Sequence, residues 1–357
     1  MAFVKPKYTK GQINRAGDIL AGFDGVADEK DAHFADSALA NWRAAHGYPI
    51  NTFQATLRHK LKAIDAKAIV AQRLKRTPSI VLKLQRFPSM KLARMQDIGG
   101  LRAVVSSIPK VRRLQQSYVE ARFQHEMISS KDYISNPKAD GYRGIHLIYR
   151  YSNPLAPEYD GLSIEMQFRT KLQHAWATAV ETMGTFLGQA LKSGQGEQEW
   201  RDFFSQAGAA LAMLEKTPSV PGYENFSSQE VHEIIYESER NLRVLDKLRG
   251  FAIAADKITR ERGQGGYHLI VLDSLQRTVT IKPYPLSRLE EANFDYADIE
   301  RRTKSGEPVE AVLVSAGPVE NLRKAYPNYF LDTQVFVNQL SSLIADVKPG
   351  RFVGKKK

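Results

Sequence analysis

Residues 162–170 read L-S-I-E-M-Q-F-R-T. Ile164, Met166 and Phe168 alternate with Ser163, Glu165, Gln167 and Arg169, which is the two-residue period of a strand with one face in a core. No other stretch restricts the fold as much, because a strand with one apolar face requires partner strands and a covering layer. A second strand is expected from Gly144 to Tyr151. Asn153-Pro154 and the Pro157 to Gly161 segment supply a turn between them, so the two are a hairpin or near neighbours. The polar face of the 162–170 strand carries an acid, an amide and a cation in a row. It is either a wet sheet surface or the floor of a cleft.

The surroundings read mainly as helix. Asp36 to Arg43 forms one helix, and from Ile50 to Leu74 the apolar residues Phe53, Leu57, Leu61, Ile64, Ala68 and Leu74 recur at helical spacing. Pro78 interrupts and Pro88 marks a turn. Gly99-Gly100 opens a strand, Leu101 to Val105, with a helix from Lys110 to Phe123. Further helices run from His174 toward Met183, from Trp200 to Leu214 and from Ser228 to Leu248. The pattern then changes: strands at 267–272 and 278–281 flank Asp273-Ser274, another strand spans 309–314, and a short helix spans 319–326. A smaller second domain is therefore expected at 252–345, after a first domain at 1–250 and before a loose basic tail at 346–357.

Composition narrows the class. With 43% hydrophobic and 25% charged residues the chain is a folded protein rather than a disordered one. No apolar run is long enough to span a membrane, and the N-terminus lacks a secretory apolar core. The absence of cysteine excludes disulfides, thiolate chemistry and cysteine-ligated zinc, and fits a cytoplasmic protein. The net charge is +12, and its placement matters more than its size. Between Asn41 and Met95 there are twelve Lys or Arg and one acid, Asp65. A nucleotide or a large polyanion would feel such a field, although a solvated helix face reads the same way.

Two acids stand out: Asp97 before the first strand and Glu165 on the polar face of the later one. If their strands are neighbours, the carboxylates converge. Two oxygen ligands with open positions suit Mg²⁺, which keeps waters and shares itself with phosphates. Upstream, Arg73, Lys75, Lys83 and Arg86 bracket a turn with a hydroxyl at Ser79. Arginine forks and lysine point charges are the side-chain apparatus for polyphosphate. No Walker-type loop occurs, so side chains must hold any nucleotide. Arg102 adds a cation near Asp97. In the turn K-A-D-G-Y-R-G-I-H (138–146), Tyr142 is a candidate platform for a base. Lys138 and Arg143 are candidate phosphate ligands there, and His146 a donor to a phosphoryl group.

These residues form blocks in a fixed order: R-L-K-R-T-P-S-I-V-L-K-L (73–84), D-I-G-G-L-R (97–102), K-A-D-G-Y-R-G-I-H (138–146), E-M-Q-F-R-T (165–170) and H-A-W (174–176). Over residues 40–185 the chain resembles the RelA/SpoT-type nucleotide pyrophosphokinases. The resemblance implies an α+β fold with a mixed β-sheet flanked by helices, nucleotidyltransferase-like, followed here by a small β-containing regulatory domain. It implies an ATP pyrophosphokinase, a transferase that moves the β,γ-pyrophosphate of ATP to a ribose 3′-hydroxyl. Arg73, Lys75, Ser79, Lys83 and Arg102 would serve the ATP side. Asp97 and Glu165 would hold Mg²⁺, with Glu165 also helping to deprotonate the acceptor. Tyr142 would stack on the acceptor base, and Lys138, His146, Gln167 and Arg169 would line the acceptor and phosphate cleft.

No His-Asp dipeptide occurs, so the metal-dependent hydrolase of long family members is not expected. The layout is similar to fused toxin–antitoxin members of the family that act in antiviral defence. That likeness implies autoinhibition by the small domain, with Tyr326 and Tyr329 as a plug, and release by a phage-encoded trigger protein. It also implies tRNA modification: pyrophosphorylation of the 3′-terminal adenosine of tRNA, which stops translation and would use the basic segment. The alternatives are alarmone synthesis from GDP or GTP, modification of adenosine nucleotides, and a non-catalytic RNA-binding module.

Overall fold

The computed structural model describes residues 3–347 apart from 24, 26, 27, 121, 122, 189, 190, 192–195, 261–265, 274, 277, 306, 308, 316–328 and 346. The chain forms two compact units, Met1–Tyr133 with Gly144–Thr170, and Ile134–Arg143 with Lys171–Lys357. The division does not fall at the expected boundary near residue 250. It cuts the 138–146 motif instead.

The first unit opens with helices α1 (Lys10–Ala21), α2 (Glu29–Ala45) and α3 (Gly47–Ile64). Thr9 starts α1 through a reciprocal capping box with Gln12. Then follow β1 (Ile69–Leu74), α4 (Thr77–Arg86), β2 (Gly99–Val105), α5 (Ile108–Val119), β3 (Glu126–Asp132), β4 (Ile145–Arg150) and β5 (Ser163–Thr170). These strands make a mixed sheet in the order β1-β2-β5-β4-β3. Only β2 and β5 run parallel; the other pairs are antiparallel. As the alternation predicts, β4 and β5 are antiparallel neighbours, and Ile164, Met166 and Phe168 are wholly buried. Leu101, Ala103, Leu147 and Tyr149 share that apolar face through the register, and α3 and α5 pack against the sheet.

Three elements differ from the sequence reading. The helix expected to reach Leu74 ends at Ile64, with Asp65 extended as its C-cap. Residues 69–74 pair instead with β2, where the β-branched Ile69 and Val70 suit a pleated surface. Pro78 does not interrupt a helix but sits in the first turn of α4, where its missing N–H costs nothing. Strand β3, E-M-I-S-S-K-D, had no alternation to announce it because it is a half-exposed edge strand.

The second unit contains helices α6 (Lys171–Phe186), α7 (Gln198–Leu214), α8 (Ser228–Leu242) and α9 (Val244–Arg260). Arg243 adopts a left-handed conformation (φ 52°) and divides the single helix expected at 228–248. After them come β6 (Tyr267–Asp273), β7 (Thr278–Tyr284), α10 (Leu289–Lys304), β8 (Val309–Ser315) and α11 (Tyr329–Ile344). The three strands form an antiparallel sheet in the order β7-β6-β8, with a core of Leu269, Tyr284 and Ala292. The expected 267–272/278–281 hairpin is present. The expected helix at 319–326 and the basic tail from 348 lie outside the described residues. No helix among the described residues is long and apolar enough to cross a membrane.

Candidate active site

Register places the polar residues of the first unit side by side. Glu165 lies opposite Gly100, Gln167 opposite Arg102 and Arg169 opposite Val104 on β2. On the other flank Gln167 faces His146 of β4. Facing residues point to the same side of a sheet, so Arg73, Arg102, His146, Glu165, Gln167 and Arg169 share the face opposite the apolar core. Gly100 keeps space beside Glu165: a side chain there would meet the Glu165 carbonyl oxygen at 3.4 Å and its Oε2 at 4.0 Å.

A hydrogen-bond chain runs along β5. Arg169 Nη2 donates to Gln167 Oε1 at 3.1 Å, and Gln167 Nε2 donates to Glu165 Oε2 at 2.7 Å. His146 Nδ1 donates to the other oxygen, Oε1, at 2.8 Å. Burial pushes the Glu165 carboxyl up and the charge of Asp97 adds to that, but the His146 and Gln167 bonds leave its pKa below the usual value. Arg169 is only 2% exposed and Arg102 only 8%. Any part they play toward a nucleotide is exerted from within the sheet.

Asp97 precedes β2. Lys75, just past the end of β1, donates to its Oδ2 at 2.9 Å, and Lys83 of α4 donates to its Oδ1 at 2.9 Å. Burial disfavours the Asp97 carboxylate, yet the two ammonium groups hold its pKa below the ordinary range. Burial lowers that of Lys75, with Asp97 opposing. Ser79 and Lys83 are four residues apart on α4 and so share a helix face. Ser79 lies in the first turn, where backbone N–H groups favour an anion. Two lysines read from the sequence as ATP ligands are thus held at the acid read as a metal ligand.

Among the described residues no group of three or more His, Asp or Glu is arranged for a metal. The fit to Mg²⁺ rests on Asp97 and Glu165. Each carboxylate oxygen already accepts one hydrogen bond and keeps a second lone pair. Two hard oxygen donors, close enough for one charge to act on the other, are the protein share that Mg²⁺ takes when phosphates and waters complete its shell.

Lys138 and Tyr142 belong to the second unit. Lys138 N donates to Tyr142 O at 3.1 Å, and the Lys138 ammonium lies 5.1 Å from the centre of the Tyr142 ring. Tyr142 is 8% exposed, and its ring centre lies 6.3 Å from that of Trp176 in a tilted edge contact. A base stacking on the Lys138 side would displace that ammonium. Arg143, read from the sequence as a phosphate ligand, is instead buried and donates to Glu215 at 2.5 Å. Sequence reasoning missed Glu215, because nothing local links it to a residue so far upstream. In the H-A-W block, His174 Nε2 lies 3.2 Å from Asp332 of α11, and Trp176 Nε1 donates to Phe204 O at 2.9 Å. Tyr326 lies outside the described residues, as does the side chain of Tyr329, so the expected plug lies outside them too.

The basic segment is less available than its composition suggests. Of its twelve cations, Arg43, Lys60, Lys75, Lys83, Lys91 and Arg94 donate to acceptors within the first unit. At least half of the charge that pointed to a large polyanion therefore has partners in the fold.

Residues 72–184 match the family described as the region found in RelA / SpoT proteins. The chain is 31% identical over 111 residues to the GTP pyrophosphokinase YjbM of Bacillus subtilis, covering 30% of this chain and 52% of that protein. It is 34% identical over 115 residues to the GTP pyrophosphokinase YwaC of the same organism, again covering 30% and 52%. With the GTP pyrophosphokinase of Escherichia coli K12 it is 32% identical over 130 residues, 35% of this chain and 16% of that one. The chain thus spans about half the length of the Bacillus relatives. A solved structure, small alarmone synthetase 1 from Bacillus subtilis bound to its product pppGpp, is similar with a TM-score of 0.42 and 22% identity, over 53% of this chain and 94% of that one. The expected toxin–antitoxin role, phage trigger and tRNA acceptor draw no support from these relatives, which are GTP pyrophosphokinases by name. Residues 72–184, with the Asp97 and Glu165 carboxylates among them, carry the region found in RelA / SpoT proteins.

Proposed function

We propose that the chain transfers the β,γ-pyrophosphate of ATP to the ribose 3′-hydroxyl of GDP or GTP. The observation that carries this reading is the carboxylate pair, Asp97 held by Lys75 and Lys83 and Glu165 held by His146 and Gln167, within the segment similar to GTP pyrophosphokinases. In the reaction the 3′-oxygen bonds to the β-phosphorus, and the bond from that phosphorus to the oxygen of the α-phosphate breaks, so AMP leaves. The hydroxyl proton departs toward the Glu165 carboxylate, which His146 and Gln167 keep oriented. Arg73, Lys75, Ser79 and Lys83 meet the triphosphate and stabilise the charge that grows on its oxygens. Asp97 and Glu165 would hold Mg²⁺, which supplies charge neutralisation and eases formation of the alkoxide. Tyr142 would carry the guanine, with Lys138 leaving its ring.

Incubating the full chain with γ-³²P ATP and Mg²⁺, and with GDP plus GTP or with bulk tRNA, tests this. Label on the guanosine nucleotides and release of AMP are expected. Label on tRNA alone would overturn the acceptor assignment in favour of the translation-blocking reading. No transfer to either, nor to added adenosine nucleotides, would overturn the pyrophosphokinase reading and favour a binding module.

A further inference from the structure

The turn at 138–143 is short and polar, yet it is fixed along its whole length. Gly141 has a left-handed backbone (φ 91°). A side chain there would lie 2.8 Å from Phe204 O, 3.1 Å from Trp176 Cζ2 and 3.2 Å from Gly208 Cα. From the other side, a side chain at Gly208 would lie 2.6 Å from Gly141 Cα. The two backbones touch, and only glycine permits it at either position. Three residues before Gly208, Ser205 Oγ donates to Ala139 O at 2.7 Å. At the C-cap of α7, Glu215 Oε2 accepts from Arg143 Nη1 at 2.5 Å and from Gln173 Nε2 of α6 at 3.2 Å. Arg143 Nη1 also lies 3.3 Å from Thr217 Oγ1. Ser205, Gly208 and Glu215 recur at the spacing of one helix face. Within the turn, Asp140 Oδ1 accepts from Tyr142 N at 2.9 Å.

We propose that α7 and its C-cap Glu215, which lie beyond the 72–184 segment, form the platform that orients the Tyr142 turn. Arg143 is then a positioning residue that acts through Glu215 rather than a ligand of substrate. Its side chain is 1% exposed and that of Glu215 8%, so the guanidinium is not presented to a phosphate. A charge that far from water persists only because it is paired. Ser205 and Gly208 fix one end of the turn and the Arg143–Glu215 pair the other. Between them Tyr142 has little freedom, and that is what a stacking platform needs before its ligand arrives. The proposal rests on the reading of Tyr142 as the acceptor platform.

Two measurements on the full chain separate this idea from that reading. The first is steady-state transfer with ATP and GDP varied in turn, for Glu215→Gln, Glu215→Asp, Ser205→Ala and Gly208→Ala. The KM for GDP should rise on the order of tenfold for Glu215→Gln and Gly208→Ala. The KM for ATP should change less than about twofold, and Glu215→Asp should recover part of the loss. Equal changes for both substrates, or none for either, would overturn the proposal. The second is hydrogen exchange of amides 138–143, which needs no activity. Those amides should exchange faster in the variants while the β4–β5 amides keep their rates; unchanged exchange would overturn the proposal as well. If the wild type moves no label to GDP, the acceptor reading falls and exchange alone judges the platform. Should Glu215→Gln fail to fold, the milder Ser205→Ala decides by the same two readouts.

Discussion

In the five-stranded sheet the polar face is covered and internally bonded: Arg169, Gln167, Glu165 and His146 form one chain, with side-chain exposures of 16% and 15% at the His146–Glu165 end. In the three-stranded sheet the polar positions of β7 (Thr278, Thr280 and Lys282) face outward. There Lys282 meets Asp295 with side-chain exposures of 53% and 30%. Both sheets are half apolar, so alternation alone does not separate them. What separates them is the cost of desolvation. Burying charges is expensive even when they are paired, and a hydrophobic replacement is often as stable, whereas an exposed pair costs and contributes little. The first sheet bears that cost where the proposed phosphate chemistry would need fixed dipoles in a dry setting.

Removing the acid is the strongest way to test this contrast. Glu165→Gln keeps the size and an acceptor for His146, so transfer should fall on the order of a thousandfold with the fold intact by circular dichroism. A loss below tenfold would place the essential acid elsewhere.

The units should also respond to pH in opposite senses. His46 sits between α2 and α3 and is 1% exposed, with its Nδ1 donating to Trp42 O at 2.7 Å. Burial lowers its pKa to about 4. The unfolded chain takes up that proton near 6.5 and the folded chain does not until about 4. The contribution is therefore present above 6.5 and lost as pH falls through that window, by about 3 kcal/mol at most. Urea midpoints of the wild type and a His46→Gln variant across pH 4–7 check this; parallel curves would refute it.

In the second unit the effect is reversed. Burial raises Glu239 to about 7, although it accepts from Leu245 N. Its contribution is fullest below about 4.5 and is lost as pH rises through 7. Amide exchange in α8 and α9 should quicken over that range in the wild type and stay flatter in Glu239→Gln. The smallest effect belongs to the surface pair: Lys282→Ala should leave the melting temperature unchanged within error. A clear drop would mean that the outer face of β7 is not simply solvated.

The legible parts of the chain were those whose physics is local. β5 was visible because its side chains alternate, and β4 because a turn precedes an apolar run. β1 was not, since I-V-A-Q-R-L continues the helical spacing of α3 and only pairing with β2 makes it a strand. The break at Arg243 was hidden because a left-handed arginine carries no glycine to mark it. Asp97 and Glu165 stood out as acids at strand positions. That Lys75 and Lys83 both turn to Asp97, and Arg143 to Glu215, depends on partners supplied by tertiary structure. Charge type was readable in the sequence; charge partner was not.

The parallel pairing of β2 with β5 has a consequence in time. Between these strands the chain makes α5, β3 and β4, so their contact closes the longest loop within the sheet. Such contacts pay loop entropy first and form late. Glu165 is also delivered by β5, the last strand of its sheet to leave the ribosome. A nascent chain therefore carries Asp97, its two lysines and the whole basic segment before it has the second carboxylate. The proposed catalytic pair is absent until the sheet is complete, so on that proposal a half-made protein has no turnover.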